Sequence, residues 1–273
     1  MTYFVVVPQW QGSGSSRALR LRDGADIIYG DLPVKKTLLV DVPLGVGDGQ
    51  GSGVHGLTAL QLIARETRAA LESLGESAIV IGGDCGVELA AIPHALRRAK
   101  GDVAVLWLDA HPDLNTAQSS PSGAFQGMVL RTLLGDGLAA LLPDRPLAAS
   151  NLVLAGARAL DESEADFVEA SGIRLLSPEH LTVQSLLDAV TATGAQSVYL
   201  HVDLDVLDPG EFAGLSYPEP FGLSVTLLLD LIRGVRERFP MAGAAVTEFA
   251  PASPAQADDD LPTILRILAA LSS

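Results

Sequence analysis

The chain has 273 residues, of which 48% are hydrophobic, enough for a large core, and it carries a formal net charge of −15. That balance argues against a nucleic-acid partner, because phosphate binding relies on clustered Lys and Arg. No apolar run approaches the roughly twenty residues that span a bilayer, the start at Met1-Thr-Tyr-Phe has no basic leader or cleavage site, and the single cysteine, Cys85, rules out an internal disulfide; a soluble cytoplasmic protein with no membrane partner is expected.

Along the chain, apolar segments rich in Val, Ile and Leu recur at Tyr3 to Val7, Thr37 to Val42, Ala78 to Ile81, Val103 to Leu108, Asn151 to Ala155, Ile173 to Leu176, Ser197 to Val202 and Ala244 to Val246. Helical periodicity fills many of the intervals, at Leu57 to Leu74, Glu88 to Arg98, Glu162 to Ala170, Val183 to Thr193, Val225 to Phe239 and Leu261 to Leu271. Strand alternating with helix predicts an α/β fold: a mostly parallel sheet of about eight strands between two helical layers. Continuous rather than alternating hydrophobicity fits strands buried on both faces. Pro and Gly concentrate at Pro8 to Ser16, Leu44 to Gly56 and Pro209 to Gly222, which read as loops. None resembles a linker, so residues 1–273 are expected to form one domain. Gly51, Gly53 and Gly56 formally spell a dinucleotide fingerprint, but they do not follow their strand immediately and no matching acid is evident. They read as part of a flexible loop.

Chemistry concentrates where strands should end. Behind Val103 to Leu108 stands Asp109-Ala-His111-Pro-Asp113, and behind Ser197 to Leu200 stands His201-Val-Asp203-Leu-Asp205. Alternate residues of a strand share a face, so Asp109, His111 and Asp113 can converge, as can Asp203 and Asp205. Four aspartates in one place would raise each other's pKa unless cations compensate. Oxygen donors with one imidazole favour Mn²⁺ or a similar hard to borderline divalent ion, and the charge favours two ions. His201 itself reads as a core or edge-strand histidine. Two more strand ends join the rim, Gly82-Gly83-Asp84-Cys85-Gly86 and Thr247-Glu248-Phe249. In open α/β sheets ligands bind beyond the carboxyl ends of the strands.

Together these four segments resemble the arginase/agmatinase (ureohydrolase) superfamily of binuclear manganese hydrolases. The matching segments are Gly-Gly-Asp-Cys at 82–85, Asp-Ala-His-Pro-Asp-Leu-Asn-Thr at 109–116, Asp-Leu-Asp at 203–205, Pro218 to Ser224 and Glu248. The resemblance implies a three-layer fold and two divalent metal ions, bridged by Asp109 and Asp203, with Cys85 and Asp113 completing one and His111 and Asp205 the other. It implies hydrolysis of a guanidino or amidine C–N bond by metal-activated hydroxide, with Asp113 moving a proton to the departing amine and Glu248 pairing with the cationic group of a small substrate. By the same resemblance Asn115, Ser122 and Gln126 would face an amino-acid head, with Asp161 and Glu164 at its α-amino group; exposed acids starting a helix explain the last two almost as well. Trimers or hexamers are common in the family.

Three positions depart from the pattern. Cys85 replaces a histidine ligand, Gln126 a histidine proposed to shuttle protons, and Ala124 an asparagine that reads the α-carboxylate. A thiolate shifts preference from Mn²⁺ towards Zn²⁺ or Fe²⁺. Cysteine at the position of Cys85 occurs in a hydroxyarginine-hydrolysing relative, and Gln126 cannot exchange protons, so an N-hydroxyguanidine stands beside L-arginine as a substrate that the pattern implies. Two alternatives stand: Cys85 as the nucleophile of a cysteine-dependent amidine hydrolase, and a non-catalytic relative with an impaired metal site.

Overall fold

The computed structural model describes residues 2–100 and 102–272. Eight strands, β1 (Tyr3–Val7), β2 (Thr37–Leu39), β3 (Ala78–Gly82), β4 (Val103–Leu108), β5 (Leu152–Ala155), β6 (Arg174–Leu176), β7 (Ser197–Asp203) and β8 (Met241–Thr247), form one sheet in the order β2-β1-β3-β8-β7-β4-β5-β6. Every neighbouring pair is parallel. Among the described residues the eight α-helices are α1 (Leu19–Asp31), α2 (Leu57–Leu74), α3 (Glu88–Arg98), α4 (Val129–Leu133), α5 (Glu162–Ser171), α6 (Val183–Thr191), α7 (Val225–Arg238) and α8 (Pro254–Ser272). Among the described residues, no helix is long and apolar enough to cross a membrane.

The strand period of two divides the core. Leu106, Leu108, Leu200 and Val202 pack with α1, α6, α7 and α8 on one side of the sheet. Val105, Trp107 and Tyr199 pack with α2, α3 and α4 on the other. The four central strands β3, β8, β7 and β4 are therefore buried on both faces, which explains their unbroken apolar runs. Their carboxyl ends lie side by side and carry the four segments singled out above.

Two helices escape the sequence reading, and one starts earlier than expected. Helix α1 has buried residues Leu21, Gly24, Ala25 and Ile28, a helical spacing masked by two internal glycines and five charged residues. Gly24 is required there, because a Cβ would overlap the carbonyl of Phe249. Helix α4 spans only five residues, too short for periodicity to register. Helix α8 begins at Pro254 rather than at the expected Leu261, and it runs through Pro262 although proline lacks an N–H. Burial of Ala257 and Asp260 before that proline anchors the early turns.

Candidate active site

Backbone geometry places the acidic side chains before any contact does. Gly83 sits under the Gln9 carbonyl where a Cβ would overlap it. The chain can therefore turn sharply out of β3, and Asp84 locks the turn by accepting from the backbone N–H of Gly12 and Gly86, each at 2.8 Å, and from the Gln9 amide at 2.6 Å. Asp113 and Glu248 both adopt positive φ, 52° and 67°. Such backbone is uncommon for residues other than glycine and is a form of strain that clusters at functional sites.

The site gathers around Asp109. Its Oδ1 accepts from the His111 N–H at 2.6 Å and its Oδ2 from the Trp107 indole at 2.9 Å. Asp205 accepts from Ala110 N at 3.0 Å through Oδ1, while its Oδ2 lies 3.0 Å from His111 Nδ1. Asp203 accepts from Asp205 N at 2.7 Å through Oδ1, leaving Oδ2 3.1 Å from Cys85 Sγ. Glu248 Oε1 is 3.9 Å from the same sulfur. Asp109, Asp113, Asp203, Asp205, Cys85 and Glu248 are all buried, and His111 is partly exposed.

Donor atoms of Cys85, Asp109, His201 and Asp203 lie within 4.8 Å of one another, as do those of Asp109, His111 and Asp205. Two donor groups sharing one carboxylate fit a pair of divalent cations, and their chemistry suits a borderline metal. Asp113 belongs to neither group, and its buried Oδ2 has no hydrogen-bond partner among the described residues.

Electrostatics make the same demand. Burial raises the pKa of Asp203 and Asp113, and neighbouring carboxylates raise it further. Burial and then Asp84 and Asp205 push up Glu248. Burial also pushes up the Cys85 thiol, reinforced by Asp203, Asp113, Glu248 and Asp109. That setting opposes a free cysteine nucleophile, which needs an electropositive surrounding. For His111, burial disfavours the imidazolium, but Asp205 and Asp109 outweigh it and the pKa is pushed up to about 12.

A cleft of about 390 Å³ opens above these groups. It is lined by Cys85, His111, Asp113, Asn115, Ser122, Gln126, Asp161, Glu164, Asp203 and Asp205, and also by Tyr217 and Glu219, which the sequence reading leaves within a loop. Asp109 and Glu248 are not among its lining residues. The Gln126 side-chain oxygen has no hydrogen-bond partner among the described residues. Asn115 donates to Asp161 at 2.8 Å. Glu164 is not the exposed acid of the plainer sequence reading: it is buried, and its two oxygens accept from Leu114 N and Asp161 N, both at 2.9 Å. This reach back across the first turn of α5 caps the helix and ties it to the segment carrying Asp113. Arg158, also missed, donates to the carbonyls of Asp205 and Glu219 at 2.9 and 2.8 Å, clamping the Asp205 turn to the loop that lines the cleft.

Comparison with known proteins decides the lineage. The model of the arginase family matches residues 13–268. The chain belongs to the arginase family. It is 34% identical over 220 residues to N(omega)-hydroxy-L-arginine amidinohydrolase from Streptomyces lavendulae, covering 76% of each chain. It is 32% identical over 157 residues to arginase from Bacillus subtilis, covering 54% of this chain and 52% of that one. In fold it matches Entamoeba histolytica arginase, solved in complex with L-ornithine, at a TM-score of 0.86, with 20% identity over 98% of this chain and 99% of that one. Arginase-family proteins are binuclear-metal-dependent enzymes, and the chain is a hydrolase of C–N bonds in linear amidines.

Proposed function

We propose that the protein is a binuclear metal hydrolase of an amino-acid-type guanidino substrate, with an N-hydroxyguanidine such as N-hydroxy-L-arginine favoured over L-arginine. The observation that carries the metal reading is the pair of donor groups that share Asp109. Asp109 and Asp203 would be common to both ions, Cys85 and Asp113 would complete one, and His111 and Asp205 the other. When bound, two such ions acidify water and supply a hydrolytic nucleophile at neutral pH. Manganese is the expected metal for the oxygen-rich His111 group, and the thiol makes zinc or iron(II) competitive at the other.

The chain's own residues supply the rest. Glu248, buried beside Cys85, would pair with the cationic end of the substrate by charge-assisted hydrogen bonds. Asp113, with a free oxygen and a pKa raised first by burial, would hold a proton and deliver it to the departing amine. Asn115, Ser122 and Asp161 line the cleft where an α-carboxylate and α-amino group would reach. Both oxygens of Glu164 are committed to backbone N–H groups, so its role towards an α-amino group would be electrostatic. The free oxygen of Gln126 can accept from an N-hydroxyl but cannot exchange a proton. The Streptomyces lavendulae relative, named for N(omega)-hydroxy-L-arginine, supports the same choice.

The test is turnover of L-arginine, N-hydroxy-L-arginine and agmatine by protein loaded with Mn²⁺, Zn²⁺ or Fe²⁺, with urea and hydroxyurea detected directly. Release of hydroxyurea at the highest kcat/KM is expected. A preference for agmatine would overturn the amino-acid reading, and no turnover with any metal would overturn the guanidino reading.

A further inference from the structure

Strand β7 brings a second imidazole to the floor of the site. His201 is the register partner of Trp107 on β4, and the two rings stack with centroids 3.5 Å apart and planes 13° from parallel. The His201 side chain is fully buried. Its Nδ1 lies 2.8 Å from Glu88 Oε1, and the other oxygen of Glu88 accepts from the Tyr199 hydroxyl at 2.8 Å. Glu88 opens α3, on the side of the sheet that Trp107 and Tyr199 face.

The opposite nitrogen faces the donors. His201 Nε2 is 3.8 Å from Cys85 Sγ and 3.8 Å from Asp109 Oδ2. The separation from the carboxylate is too long for a hydrogen bond. The separation from sulfur suits neighbouring ligands, since bonds of about 2.3 Å to sulfur and about 2.0 Å to nitrogen, set at roughly the tetrahedral angle or wider, hold those atoms about 3.5 Å or more apart. A histidine whose far nitrogen meets a carboxylate is the usual arrangement of a metal-ligating imidazole, because that partner fixes the tautomer and the ring orientation. The free oxygen of Asp113 is a second sign that the pocket suits a cation.

Resting on the binuclear reading above, we propose that His201 Nε2 is a ligand of the ion held by Cys85, Asp109 and Asp203, and that Glu88 is its positioning residue. The thiolate then comes with an imidazole from the adjacent β7, and the combined sulfur, nitrogen and oxygen set prefers Zn²⁺ or Fe²⁺ to Mn²⁺.

Titration with Co²⁺ alone tests this, because charge transfer from a thiolate to cobalt in the near ultraviolet reports the Cys85 ion specifically. In the unmodified protein the band should appear and saturate. His201→Ala should weaken Co²⁺ binding read at that band by more than about 100-fold, and Glu88→Gln by about 10-fold with a shifted visible spectrum. An unchanged affinity in folded His201→Ala overturns the assignment of His201 while leaving the metal reading intact. Absence of the band in the unmodified protein overturns both. Should His201→Ala fail to fold, His111→Ala loaded with Co²⁺ supplies the second test, by X-ray absorption at the cobalt edge. Imidazole scattering must persist there beside sulfur, and its loss overturns the proposal.

Discussion

Cys85 Sγ and Asp203 Oδ2 meet at 3.1 Å across the carboxyl ends of β3 and β7, two strands separated in the sheet by β8. Burial and the surrounding carboxylates hold the thiol in its protonated form, and the sulfur donates to an acid that is itself pushed up by burial. In the metal-free protein the two groups thus share protons that a cation must displace.

Proton release should accordingly accompany metal binding. Cys85, Asp113, Asp203 and Glu248 have pKa values raised first by burial, and His111 is pushed up to about 12. Metal affinity should rise with pH, by more than one proton per ion. Calorimetry in buffers of different ionisation enthalpy measures that number, and zero would contradict the electrostatic account.

The same groups set the stability of the metal-free protein. A pKa raised on folding contributes stability that is present below the unfolded value and lost as pH rises through the folded one. The buried acids should therefore cost stability as pH rises above about 4, the ordinary carboxylate range. Added Mn²⁺ or Zn²⁺ should raise Tm more at pH 8 than at pH 6, which thermal melts at both values will check.

Removing the shared carboxylate should empty both donor groups. Elemental analysis after equilibration with excess metal and desalting should find about two ions per chain in the unmodified protein and none in Asp109→Ala. Asp205→Ala should retain the ion at Cys85. A full complement in Asp109→Ala would disprove the shared role.

Converting Cys85 to histidine should fail on its own. An imidazole at that position would crowd His201, whose Nε2 is already 3.8 Å from the sulfur, and overpacking of this kind costs about 1–3 kcal/mol. Cys85→His should lower Tm, and the double change Cys85→His with His201→Ser should recover it and bind Mn²⁺ more tightly than the unmodified protein. Melts and Mn²⁺ titrations of the two variants decide the point.

Glu248→Gln keeps shape and removes charge. It should reduce kcat/KM by roughly 10- to 100-fold, the worth of a hydrogen bond to a charged group, with metal content unchanged. Loss of metal in that variant would make Glu248 a ligand instead.

The sequence by itself determined the strand ends, because their chemistry is local. Asp109, His111 and Asp113 follow one apolar run and Asp203 and Asp205 another, so their place beyond a strand end is legible locally; their convergence is not strand alternation, because β4 ends at Leu108, Asp113 has a φ of 52° and Asp205 lies in a 3-10 turn after β7. Gly83 and Asp84 carry their turn within a few residues. Buried central strands were legible for a similar reason, since continuous Val, Ile and Leu runs record burial on both faces. Only the tertiary structure decided what stands behind the site. Trp107 and His201 are 94 positions apart and stack because β4 and β7 are register partners. Glu88 reaches His201 from α3 on the adjoining layer, and Glu164 turns from an apparently solvated acid into a buried cap because α5 packs over Leu114. Helix α1 was hidden for the complementary reason: Gly24, a poor helix former on its own, is there for the close approach of Phe249, a contact between residues far apart in the chain. Strand order and layer packing come from cooperative burial of the whole chain, and no local pattern encodes them.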